Sequence, residues 1–97
     1  MAKLTDAELK AFLSGREGWT SSGNAIHKEF TFPGFRRAIE FVNRVAELAN
    51  AAAHHPDLEI HYNRVVVSLS THDEGGVTDK DVMLAREIDG TADPEGD

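Results

Sequence analysis

The sequence predicts an α+β fold, a single domain of order α-β-β-α-β-β-α with an antiparallel four-stranded sheet and the helices packed on one face. Three observations lead there. A long stretch from Phe35 to Ala53 repeats its apolar residues at the helical period. Two pairs of short alternating segments flank it, each pair folded about a turn. Two further segments open with the same capping signature, Thr5-x-x-Glu8 near one end and Thr78-x-x-Asp81 near the other. At 97 residues the chain is one domain with a modest core, a size that often gains from an oligomer interface.

The first helix starts where Thr5 can cap free amides, Glu8 completes a capping box and Leu4 with Leu9 forms a hydrophobic staple; Gly15 suits its end. Trp19 to Ser22 and Ala25 to Phe32 form two strands about Gly23-Asn24, with Ile26, Phe30 and Phe32 on one face. Pro33-Gly34 breaks the second strand. In the long helix Phe35, Ala38, Ile39, Phe41, Val42, Val45 and their neighbours fill about half the circumference, where about 100° suffices for one core contact. The extra width predicts a second partner, either another helix of this chain or another subunit; self-association is favoured over docking of a different protein, with Phe41 and Leu48 as interface residues. Strands Leu58–Tyr62 and Arg64–Thr71 follow, then a Gly75-Gly76 turn and a last helix ending near Gly90. Residues 1–90 make up the domain, and 91–97 an acidic tail expected to be disordered, with Asp89 counted among the acidic residues of that end.

Composition excludes several classes of function. With no cysteine there is no disulfide, thiolate metal site or cysteine nucleophile. A net charge of −7 and scattered Lys and Arg argue against nucleic-acid binding. No apolar run approaches the roughly 20 residues that span a bilayer, and no signal-peptide core is evident, so a cytoplasmic protein without membrane contact is expected.

The five histidines carry the chemistry. His27 and His61 fall on the polar parity of their strands and read as surface residues. His54-His55-Pro56 follows the long helix, and His72-Asp73 follows the last strand; either group alone could simply cap an element. Together they place three imidazoles at element ends, where scaffolds present side chains to ligands. A metal site is disfavoured because adjacent histidines diverge and no His pair at helical spacing is present. No phosphate-cradling loop or serine-nucleophile turn occurs either.

His-His-Pro, an aromatic after five residues, His after nine more and an Asp further on make a recurring pattern. Here His54, His55, Pro56, Tyr62, His72 and Asp81 match it, and most of the chain resembles the pterin-4a-carbinolamine dehydratase family. Asn50 departs from the pattern, which usually has Glu there. The resemblance implies cofactor-independent dehydration of 4a-hydroxytetrahydrobiopterin to quinonoid dihydropterin, recycling pterin for an aromatic amino acid hydroxylase. It implies catalytic roles for His54, His55 and His72, substrate contacts at Pro56, Tyr62, Thr71 and Asp73, and no metal or cofactor. Asp81 is a site position in the pattern and a capping residue by its local context; the cap is the favoured role. A homodimer or homotetramer is expected. The competing class is an assembly or interaction protein of the same fold, docking a partner through its long helix or sheet.

Overall fold

The computed structural model describes residues 2–92. Helix α1 (Asp6–Gly15), strands β1 (Thr20–Ser22) and β2 (Ala25–Thr31), helix α2 (Phe35–Ala52), strands β3 (Asp57–His61) and β4 (Arg64–Leu69) and helix α3 (Asp79–Thr91) follow in the expected order. The sheet is antiparallel throughout, in the order β1-β2-β4-β3. Both capping boxes form: Thr5 with Glu8 on α1, and Thr78 with Asp81 on α3. The two helix entries are joined, because Leu4 N–H donates to the Val77 carbonyl at 2.8 Å.

Register explains the layers. Ile26 lies opposite Leu69, Lys28 opposite Val67 and Phe30 opposite Val65, so these residues share the helix-covered face. Ala38, Phe41 and Val45 of α2 and Leu84, Ala85 and Ile88 of α3 close over that face, and all are buried. Phe30 and Phe32 sit 4.7 and 5.0 Å from Phe41, ring centre to ring centre. His27, Glu29 and Thr31 point the other way, with Ser68, Val66 and Arg64 opposite them. His27 bonds Ser68 Oγ at 2.8 Å and the Ser22 carbonyl at 3.2 Å, and exposed His61 lies 3.3 Å from Glu59.

Four expectations are corrected. Phe41 is fully buried within its own chain and so faces no partner subunit, and Leu48 is half-buried, packed against the same core. One side of α2 carries exposed Phe35 and Ala46 and half-buried Ile39 and Val42 at a four-three-four spacing. Tyr62 belongs to the β3–β4 turn rather than to a strand, with φ 54°, because a two-residue turn between antiparallel strands needs positive φ. Asp89 belongs to α3, where its carboxylate accepts from Arg16 at 3.1 Å, Trp19 Nε1 at 3.0 Å and Lys28 at 2.8 Å. Thr91 is still helical and Ala92 caps α3; the remainder of the expected tail, 93–97, lies outside the described residues.

Candidate active site

Helix α2 ends in a left-handed residue, Ala53, at φ 52° and ψ 39°. That conformation lets the Ala53 N–H reach the Ala49 and Asn50 carbonyls and the His54 N–H close on Ala49 at 3.1 Å. The chain is thereby turned sharply, and His54 and His55 leave the helix end in fixed directions. His72 is delivered from the other side. Beyond β4, Thr71 and Gly76 pair as an isolated bridge, Thr71 N–H to Gly76 carbonyl at 2.8 Å, which pinches off one 3-10 turn over His72–Glu74. Gly75 closes that turn at φ 75°, donating to the His72 carbonyl at 3.1 Å.

These two ends meet at an open cleft of about 320 Å³. Its lining includes His54, His55, His72, Thr71 and Asp73, so five of the expected residues are brought together. Pro56 and Tyr62 are not. Pro56 leads the chain from the helix end into β3 and lies outside the lining. Tyr62 stacks on Phe35, 6.3 Å between ring centres, at the start of α2, the far end of a helix roughly 27 Å long. Lys80 joins the lining and was missed from the sequence: as an exposed lysine in a helix's first turn it carries no local signal.

Asp81 joins the two roles between which the sequence left it. It is fully buried, and its two oxygens serve different partners. Oδ2 accepts from the Thr78 N–H at 2.9 Å, the helix cap, and from Thr71 Oγ1 at 2.8 Å. Oδ1 lies 2.5 Å from His54 Nε2. Thr71 gives its proton to Asp81, so at 2.8 Å Thr78 Oγ1 must be the donor to Thr71. The Thr78 N–H and the Thr71 hydroxyl thus both donate to the carboxylate, and the Thr78 hydroxyl backs Thr71. An ionised carboxylate only accepts, so Nε2 of His54 carries hydrogen and the neutral ring keeps Nδ1 free to take a proton. Thr71, expected to touch substrate, turns its hydroxyl inward to Asp81 instead.

His55 is oriented more simply: its Nε2 lies 3.0 Å from Asn50 Oδ1, one turn back on α2. An amide oxygen can only accept, so Asn50 performs the holding that a carboxylate would perform there. The side chains of His72 and Asp73 make no hydrogen bond among the described residues, so both are free to meet a ligand. No side-chain nitrogen or oxygen buried among the described residues lacks a partner.

The small α+β scaffold brings three imidazoles to one cleft, one of them held by a buried carboxylate, and such groups can give and take protons near neutral pH. The profile of the family described as pterin 4 alpha carbinolamine dehydratase matches residues 2–91, and the chain belongs to that family. A relative from Sulfurisphaera tokodaii is 48% identical over 92% of this chain and 96% of its own length. Another, from Roseiflexus castenholzii, is 53% identical over 91% and 95%. Both are named provisionally as pterin-4-alpha-carbinolamine dehydratases. The crystal structure of a transcriptional coactivator/pterin dehydratase from Brucella melitensis superposes with a TM-score of 0.89 at 37% identity, covering 93% of this chain and 98% of that one. A pterin dehydratase-like RuBisCO assembly factor shares the fold at TM-score 0.66 and 17% identity, covering 77% and 87%.

Proposed function

We propose that this protein dehydrates a 4a-carbinolamine of a reduced pterin, 4a-hydroxytetrahydrobiopterin or a close analogue, by histidine acid–base catalysis without a cofactor. The observation that carries this reading is the convergence of His54, His55 and His72 on one cleft, with Asp81 fixing the His54 ring. The reaction breaks the bond from C4a to its hydroxyl and removes the proton from N5. One group must protonate the departing oxygen and another must accept the N5 proton; water and quinonoid dihydropterin result. His54, with Nδ1 free, is assigned the base, and the unbonded His72 the acid, with His55 steadying the hydroxyl. Asp73 and Lys80 line the same cleft and supply polar contacts to the heterocycle. In a cell the product would return to an aromatic amino acid hydroxylase through a reductase.

The protein acts as an oligomer in this reading, built on the outward α2 seam of Phe35, Ile39, Val42 and Ala46. No helix of the described residues is long and apolar enough to cross a membrane. Docking of a partner protein, the other expectation for this fold, gives no reason for three histidines and a buried carboxylate at one cleft. Stopped-flow mixing of chemically generated 4a-carbinolamine with the wild-type protein tests the proposal. Dehydration should exceed the spontaneous rate by at least a hundredfold at micromolar protein, and a rate equal to the buffer blank refutes it.

A further inference from the structure

Thr71 is tied to both sides of the histidine cleft, by its backbone to one and by its side chain to the other. Its N–H donates to the Gly76 carbonyl at 2.8 Å, and its own carbonyl accepts from Glu74 at 3.0 Å and Gly76 at 3.3 Å. Those bonds close the turn that bears His72. The side chain reaches the start of α3 instead. A hydroxyl has one proton to give. Thr71 gives its proton to Asp81 Oδ2 and takes one from Thr78 Oγ1, which itself accepts from the Lys80 N–H at 3.3 Å. The donors thus run in one direction, Lys80 to Thr78 to Thr71 to Asp81, and each bond polarises the next. Thr71 is buried and Thr78 and Asp81 are fully so, which keeps water from competing for these bonds.

The capping box needs only the Thr78 N–H on Asp81 Oδ2, so the helix start does not account for the Thr71 hydroxyl. A valine would fill the same extended backbone and leave no buried donor to satisfy. What the hydroxyl adds is a second donor on Oδ2, which stops the carboxylate from turning about its own bond and keeps Oδ1 on His54. We propose that Thr71 is a positioning residue for the dehydration. Its hydroxyl, backed by Thr78, pins Asp81 so that His54 carries hydrogen on Nε2, while its backbone pins the turn that presents His72. One buried residue sets the assigned base and the assigned acid relative to each other. This rests on the dehydratase reading and adds a residue to its machinery. Without the hydroxyl the carboxylate is held by one donor, and the His54 ring is free to carry hydrogen on either nitrogen. A ring with hydrogen on Nδ1 has no lone pair there to take a proton.

Long-range proton–nitrogen NMR of the whole protein, at a pH where imidazole is neutral, reads the tautomer of each histidine ring. Stopped flow with 4a-hydroxytetrahydrobiopterin supplies kcat and KM. In the wild type the His54 nitrogens should be those of a ring with hydrogen on Nε2 alone. Thr71→Val should draw the two nitrogen signals together as tautomers mix, and lower kcat by about tenfold or more with KM within about twofold. Thr71→Ser returns the hydroxyl and should restore the His54 signals, with kcat within about threefold of wild type. Thr71→Ala against Thr71→Ser makes the same comparison with the branch removed from both, and it decides the matter if the valine variant does not fold. His72, held through the backbone, should keep its signals throughout. Mixed tautomers of His54 in the wild type, or His54 signals or a kcat indifferent to loss of the hydroxyl, overturn the inference. So does displacement of the His72 signals along with those of His54, which would mean general disruption of the cleft. Absence of turnover by the wild type overturns the dehydratase reading alone, since the ring signals still decide whether Thr71 holds Asp81 and His54.

Discussion

Asp81 and His54 are 27 positions apart in the chain and hydrogen-bonded in the fold. The carboxylate was legible as a capping residue because a capping box is a local pattern; its hold on His54 was not, since nothing local links a helix start to another helix's end. One residue with two oxygens answers both demands. Asp81→Ala should therefore lower stability by about 1–3 kcal/mol, through the lost cap and the buried donors left unpaired. It should also slow dehydration at least tenfold, because the His54 ring loses its tautomer and orientation. Thermal melts and single-turnover rates on this variant check both, and a destabilised protein with an unchanged rate would return Asp81 to the cap alone. Asn50 gives a milder expectation. Asn50→Glu keeps an acceptor for His55 Nε2 and should leave the rate within about threefold, whereas Asn50→Leu removes the acceptor and should lower it more.

At the scale of the element, α2 shows why a pattern can be legible and its use not. Its apolar arc was plain in the sequence, but periodicity does not say which half of a wide arc meets the sheet. The sheet takes Ala38, Phe41, Val45 and Ala49, all buried, and the side bearing Phe35 and Val42 is left outward. Ile39→Glu with Val42→Glu should dissociate the proposed oligomer in light scattering while circular dichroism stays native. Phe41→Glu should instead unfold the chain, because an unpaired charge would replace a fully buried ring. The end of α2 carries strain of another kind: Ala53 holds a left-handed conformation that glycine adopts without penalty. Ala53→Gly should raise stability by about 1 kcal/mol in urea denaturation. No change, or a loss, would mean that the lost packing of the Ala53 methyl offsets the relief.

Over the whole molecule, Asp89 ties three segments together: Arg16 beyond α1, Trp19 ahead of β1 and Lys28 on β2 all donate to it from α3. Lys28 also lies over the Phe30 ring, 4.8 Å from its centre, where it meets a negative aromatic face. Asp89 was misplaced from the sequence because Asp-Gly followed by small and acidic residues reads as a chain end; the partners that hold it lie 61 to 73 residues away. Asp89→Ala should cost about 2–4 kcal/mol by denaturant titration, since two partly buried cations lose their counter-charge, with little effect on the distant cleft. Element order and strand pairing were legible because alternation, turns and caps are local. The cleft was legible in its histidines, which stand at element ends, and not in Lys80 or in the absence of Tyr62, which depend on how those ends meet. Single-turnover stopped flow with 4a-carbinolamine on His54→Ala, His55→Ala and His72→Ala asks whether these histidines carry the proposed dehydration. Each folded variant should lose at least tenfold in rate; wild-type rates in all three would mean that the histidines do not carry it.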